Sequence, residues 1–244
     1  MNEVMPFSEL HFDDSPTPCL DAEFLHFIRD HEFDLIYPDP VQRLSRCHWT
    51  PAEVCRMAAR FLVPEPDIRV LDIGCGPGKF CAIGAATTCG HFTGVEQREH
   101  LVSTAREMLQ RTGVSGVEII HANITDVSFR MFDAFYLFNP FQENIFPSMR
   151  IDRHVELEPR LYASYLNYVQ QQLAQAPAGT RVATYCGDCE EIPGCYDCEE
   201  TAVNGQLRFW IKNRRQPLQA EAWHSDLISQ FEALEPGLGA AALA

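Results

Sequence analysis

The sequence predicts an α/β fold in which a mostly parallel sheet is crossed by helices. Three observations carry this. Short apolar runs (Val70–Ile73, His91–Glu96, Val117–His121, Phe132–Phe138, Arg181–Cys186) alternate with longer stretches whose apolar residues recur at helical spacing. The first run passes through Gly74, Gly76 and Gly78 into such a stretch, as a strand does when it turns sharply under an exposed backbone. Near the end, Asn204-Gly205 between two strand-like runs is a strong hairpin signal.

The 244 residues suffice for one α/β domain with terminal additions, and 46% hydrophobic against 22% charged residues is ordinary for a globular chain. The net charge is −15, from 34 acids and 19 bases, and the longest basic run is Arg214-Arg215. Neutralising phosphates requires a basic field, so nucleic acid is expected to be an unlikely partner, whereas basic proteins and small amines suit such a surface. Net negative charge is also a solubility device. Met1–Leu20 lacks the charged and apolar regions of a secretory signal, and no apolar run reaches the length of a membrane span. The reading is a cytoplasmic protein without a membrane partner, its 10 cysteines kept as thiols.

Residues 1–49 form an N-terminal helical cap in this reading. Asp21–Asp30 carries Phe24, Leu25, Phe27 and Ile28 for a short amphipathic helix, and Pro38 and Pro40 mark a loop. At Trp49-Thr50-Pro51-Ala52-Glu53 a helix starts: Thr50 suits the N-cap, Pro51 the first helical position, and Glu53 completes a capping box. Val54, Met57, Ala58, Phe61 and Leu62 form its apolar face. Lys79–Thr88 is the first crossover helix, small on the side that meets the sheet, and Cys75 is a small filler within the glycine turn. The second strand ends in Glu96, roughly twenty residues beyond the glycines, where nucleotide folds place a ribose-binding carboxylate. Arg98–Arg111 is an amphipathic helix stopped by Gly113. Asn139-Pro140-Phe141 follows the carboxyl end of the fourth strand, the edge at which open α/β sheets bind ligands. Glu158–Gln175 is a helix, Cys195–Val203 and Gln206–Lys212 form the hairpin, and Leu218–Leu234 is a terminal helix before a low-complexity tail. The core domain is thus 50–217, with 218–244 as an appendage.

Cys186-x-x-Cys189 and Cys195-x-x-Cys198 are metal-like pairs, but only five residues separate them and neither has the glycine that follows a rubredoxin-type knuckle. Thiols are the preferred reading and no metal ligand is assigned; a zinc-stabilised interaction module stays open as an alternative.

Asp72-Ile73-Gly74-Cys75-Gly76-Pro77-Gly78 is D-x-G-x-G-x-G, not the G-x-G-x-x-G of dinucleotide folds. Together with Glu96 it resembles the first motif region of the class I, Rossmann-like S-adenosylmethionine-dependent methyltransferases, and the resemblance runs in order over about 50–212. It implies a doubly wound, mostly parallel seven-stranded sheet ending in an antiparallel hairpin; the short link 187–194 departs from the family, leaving little room for the usual helix. It also implies S-adenosylmethionine as cofactor. In that picture the turn of Gly74, Cys75, Gly76 and Gly78, with Phe80, runs beneath the methionine and ribose parts. Asp72 lies near the amino group, and Thr50 and Pro51 face the methionine end from a helix N-terminus. Glu96 takes the ribose hydroxyls with Gln97 beside the adenine; Asn123 bonds the adenine amino group and the Ile124 amide a ring nitrogen.

Asn139-Pro140-Phe141 is similar, one proline short, to the Asn-Pro-Pro-Tyr/Phe motif of class I enzymes that methylate amide or exocyclic amino nitrogens, and to the Asn-x-x-Phe stretch of the non-SET histone-lysine methyltransferases. The implication is an N-methyltransferase acting on an amine of a small molecule or protein. Asn139 is its catalytic residue and touches the cofactor, while Pro140 and Phe141 hold the acceptor. Methyl transfer from a sulfonium needs positioning more than acid or base, so Tyr136, Glu143 and His154 are pocket candidates without assigned roles. The same triplet also suits a plain strand end, which leaves a non-catalytic cofactor-binding protein open; an aminopropyl transferase expects an acidic pair that does not adjoin Asn139.

Overall fold

The structure, a computed structural model, describes residues 22–213; the expected helix over Leu218–Leu234 and the tail after it lie outside the described residues. Seven strands form one sheet: β1 (Arg69–Ile73), β2 (His91–Glu96), β3 (Val117–His121), β4 (Ala134–Leu137), β5 (Arg181–Tyr185), β6 (Tyr196–Ala202) and β7 (Leu207–Lys212). Their order is β3-β2-β1-β4-β5-β7-β6. The first five run parallel, and β7 is antiparallel to both β5 and β6. This is the expected Rossmann-like methyltransferase sheet.

Its central strand shows why. Val70 and Asp72 of β1 face one layer and Leu71 and Ile73 the other, and none is more than 3% exposed, as a parallel strand covered on both faces requires. Helices α3 (Ala52–Leu62), α4 (Lys79–Thr87) and α5 (Glu99–Thr112) bury their apolar faces with Val70, Ala134 and Tyr136. Helix α6 (Pro159–Gln175) covers Leu71, Ile73, Phe135 and Leu137 from the opposite side. The chain runs outward from β1 to β3 and then returns to β4, so the order reverses between β1 and β4, leaving a crevice at their carboxyl ends.

The cap departs from its expectation in two ways. Residues Ala22–His26 are a 3-10 turn that buries Leu25 and leaves Phe27 exposed, so the single amphipathic helix is replaced by this turn and the short α1 (Asp30–Asp34). Pro38 and Pro40 begin a helix, α2 (Asp39–His48), where a loop was expected. The first turn of a helix leaves its N–H groups unbonded anyway, so proline costs nothing there. The start of α3 is also capped differently. The Ala52 amide donates to Asp30 Oδ1 at 2.8 Å, while Glu53 pairs with Arg56 and Thr50 turns inward. A residue twenty-two positions earlier thus supplies the cap, and the N-terminal segment is tied to the core.

Between β5 and β6 there is no helix. Cys186, Gly187 and Cys189 take φ values of 60°, 73° and 59°, Cys195 is buried and Cys198 lies exposed on β6. Among the described residues these four cysteines are free thiols and form no metal-holding group. The hairpin turns through Val203, Asn204 and Gly205, all at positive φ, and its outer strand β6 exposes Asp197, Glu199 and Glu200 around a bulge at Cys198/Glu200. Among the described residues no helix is long and apolar enough to cross a membrane.

Candidate functional site

Beyond the carboxyl ends of the central strands lies a cleft with about 800 Å³ of free space, including its open mouth, a size suited to a small-molecule ligand. Gly74 and Gly76 form its floor, Glu96 and Gln97 follow β2, Asn123 and Ile124 follow β3, and Asn139, Pro140 and Phe141 follow β4. Four loops that are distant in sequence therefore meet around one cleft.

The glycine turn divides its labour. Gly74 and Gly76 sit at φ 77° and 53°, conformations that side chains strain against. A Cβ on Gly76 would lie 2.6 Å from the ring of Trp49, which packs over the turn; one on Gly74 would lie 3.0 Å from Cβ of Pro140. Gly78 faces elsewhere. Its Cβ would meet Ala105 at 3.1 Å, so the third glycine brings α4 against α5 and does not line the cleft.

A deeper recess beside the turn holds Thr50, Asp72, Cys75, Phe80 and Tyr136. The hydroxyls of Thr50 and Tyr136 share a hydrogen bond of 2.8 Å, and Phe80 stacks on Tyr136 at 3.8 Å. Asp72 is 3% exposed. Burial pushes its carboxyl up to about 7 against the opposing pull of the Cys81 thiol, which donates to Oδ2. Pro51 lines neither space.

Glu96 is buried, with Oε2 accepting from the Gly76 amide at 3.2 Å and Oε1 from the Arg98 amide at 2.9 Å. Burial raises its pKa, while Arg98 and the two amides draw it back. Arg98 itself is 3% exposed. Its guanidinium lies 3.7 Å from Glu96, donates to Glu143 at 2.8 Å and stands 3.2 Å from Asp152. Glu143 also accepts from the Ile151 amide, so one arginine fastens the segment after β4 to the end of β2. Sequence reasoning missed Arg98; a base two places beyond a cleft carboxylate was the available signal. It missed Trp49 as well, for which no spacing rule gives a signal.

Asn123 is placed on the wall, but its Oδ1 accepts from both the amide and the hydroxyl of Thr125, and its Nδ2 donates to Tyr165. Both lone pairs of that oxygen are used within the protein. Asn139 takes φ 41° and, with Pro140 and Phe141, forms a partition: the cofactor-sized cleft is on one side, and on the other a recess of about 630 Å³ lined by Tyr162, Asp188 and Glu190 among others. Of the further candidates, Tyr136 lines the deep recess, Glu143 the cleft, and His154 sits at neither.

The residues fit S-adenosylmethionine by their chemistry. A buried carboxylate at the end of β2 matches a ribose diol, a second acid beside the turn matches a cationic amino group, and positive-φ glycines expose backbone between them.

Comparison with known proteins agrees. The profile of a family described as "Methyltransferase domain" matches residues 64–145. A 23S rRNA (uracil(1939)-C(5))-methyltransferase of Klebsiella pneumoniae is 38% identical over 74 residues, 30% of this chain and 17% of that protein. The corresponding enzyme of Xanthomonas campestris is 40% identical over 68 residues, 28% of this chain and 15% of that protein. The match thus spans less than a fifth of these relatives. Among solved structures, an RNA methyltransferase from Salinibacter ruber in complex with S-adenosyl-L-homocysteine superposes with a TM-score of 0.52 at 18% identity, over 71% of this chain and 99% of that one. A putative O-methyltransferase from Klebsiella pneumoniae does so with a TM-score of 0.50 at 15% identity, over 74% and 89%.

These relatives overturn the partner expectation drawn from charge. Proteins sharing this segment act on RNA, so the net charge disfavours neither nucleic acid nor favours an amine acceptor. The physical reason is distribution: residues 64–145 hold ten acids and six bases, so eleven of the fifteen excess negative charges lie outside the shared segment. Residues 64–145 thus resemble the methyltransferase-domain family, and the seven-stranded sheet around them has the Rossmann-like methyltransferase fold.

Proposed function

We propose that the protein is an S-adenosylmethionine-dependent methyltransferase that transfers to a planar nitrogen, and that the acceptor is a base of an RNA. The observation that carries the first part is Glu96: a buried carboxylate at the end of β2, held by the Gly76 amide, on the wall of a cleft shared with Gly74 and Asn139. When bound, the cofactor supplies an electrophilic methyl group on a sulfonium. The chain's own work is then to bind, orient and exclude water. Glu96 holds the ribose and Asp72 the amino group. Ile124 and the backbone of Asn123 meet the adenine, since the Asn123 side-chain oxygen is already spent on Thr125.

Asn139 and Pro140 stand between the two recesses, so an acceptor in the outer one reaches the methyl past them. Carbonyl oxygens at this partition accept the acceptor's N–H bonds and turn its lone pair inward, and Phe141 gives a ring against which a planar base rests. The RNA class is taken from what the relatives act on. Titration of the protein with S-adenosylmethionine and S-adenosylhomocysteine by calorimetry tests the cofactor. Micromolar binding that weakens at least about tenfold in Glu96→Ala is expected, and no binding by folded protein would sink the proposal. Incubation with RNA and labelled cofactor, followed by nucleoside mass spectrometry, tests the acceptor; methyl on carbon or oxygen overturns the nitrogen assignment.

A further inference from the structure

The carboxylates around Arg98 lead to a second group of ligating side chains behind the wall of the cleft. His100 stands in the first turn of α5, and Asp152 and His154 lie in the segment between β4 and α6. His100 Nε2 is 3.2 Å from Asp152 Oδ2, His154 Nδ1 is 3.5 Å from the same oxygen, and all three atoms lie within 4.8 Å of one another. A tetrahedral metal with ligands at about 2.0–2.1 Å sets its ligand atoms roughly 3.3–3.4 Å apart, so two of the three separations already have the required size.

Three further observations support the same centre. Asp152 Oδ2 is buried and accepts no hydrogen bond, although Arg98 Nε is 3.2 Å away; its N–H is not aimed at the oxygen. The other oxygen, Oδ1, accepts from the His154 amide at 2.8 Å, which holds the carboxylate by one oxygen and leaves the second presented, as the partners of metal-bound carboxylates do. The local charge also favours a cation. Glu96, Glu143 and Asp152 face the single guanidinium of Arg98, an excess of two negative charges when all are ionised.

We propose that His100, Asp152 and His154 form a binding site for a divalent transition metal, Zn²⁺ in the first instance, with water in the fourth position. Two imidazoles and one carboxylate are a donor set that such metals accept, and the exposed side of His154 leaves a route from solvent. The bound ion staples the segment after β4 to α5, two residues from Arg98, and so stiffens the wall that Glu143 and Ile151 give to the cleft.

The test uses the whole protein after dialysis against a chelator, titrated with Zn²⁺ by calorimetry and with Co²⁺ as an optical probe. About one equivalent of Zn²⁺ should bind at micromolar affinity or tighter, and Co²⁺ should give visible ligand-field bands without the near-ultraviolet band of a thiolate ligand. His154→Ala should weaken both at least about tenfold; its side chain is largely exposed, so the variant folds, as circular dichroism will verify. Replacing Cys186 and Cys189 together by serine should leave binding unchanged. A thiolate band, binding equal in His154→Ala, or no binding by folded protein would overturn the site. None of these readouts involves methyl transfer, so the metal site and the proposed activity stand or fall separately.

Discussion

Gly187 packs so closely on Asn139 that a Cβ added to it would lie 2.0 Å from Oδ1 of Asn139. The link after β5 therefore backs the partition between the two recesses. Gly187→Ala must move Asn139 or the link, and φ 73° adds backbone strain of about 1 kcal/mol or more. Methyl transfer should fall at least about tenfold while S-adenosylhomocysteine affinity changes by less than about threefold, a split read by single-turnover kinetics beside calorimetry. Equal losses in both would show that the link supports the cofactor instead.

Under the proposed function, Asp72 should make cofactor binding depend on pH. With its carboxyl pushed up to about 7 by burial, it is neutral in the free protein below that value. A cationic amino group favours the ionised form, so affinity should weaken by up to about tenfold for each pH unit below 7, with proton release on binding. Calorimetry in buffers of different ionisation enthalpy measures the release. The free protein should show the opposite trend. A raised carboxyl stabilises the fold fully below the ordinary carboxylate range, and that contribution is lost as pH rises through about 7. Asp72→Asn should flatten both profiles.

Lys79 anchors the cap. It is 2% exposed, with Nζ 2.7 Å from both Asp30 and Asp34, and Asp30 in turn caps α3. Lys79→Met should cost about 2–3 kcal/mol in urea unfolding, less than a wholly buried pair because Asp30 is half exposed. Adding Asp34→Asn to that variant should cost less than the sum of the single changes, since both remove one interaction.

Gly78 separates packing from ligand contact. Gly78→Ala brings strain at φ 81° and a Cβ 3.1 Å from Ala105, so stability should drop by about 1–2 kcal/mol. Cofactor affinity at low temperature should stay within about threefold of the parent. The same change at Gly76, under the Trp49 ring, should impair both.

What was legible in the sequence was whatever depends on local rules. Strand β1, its turn into α4, Glu96 at the end of β2 and the hairpin at Asn204-Gly205 each follow from residue type and period, and each lies where those rules put it. What was not legible depends on partners distant in the chain. Thr50 has the residue type of an N-cap, but Asp30 reaches the helix first and the hydroxyl turns to Tyr136. Arg98 and Asp152 are fifty-four positions apart, and only the fold makes them neighbours. Gly78 matches the motif by spacing, and only its orientation shows that it serves α5.

Strand β6 has a consequence for behaviour in crowded solution. Among the described residues it is one of the two edge strands, and a row of unpaired backbone groups at a sheet edge is a template on which a second chain can assemble into an aggregate. Asp197, Glu199 and Glu200 sit exposed along it, and the bulge at Cys198/Glu200 bends it out of register with any straight strand. Part of the excess negative charge thus lies where it repels a copy of the same edge, and neutralising those three acids should turn a monodisperse solution into one that scatters light.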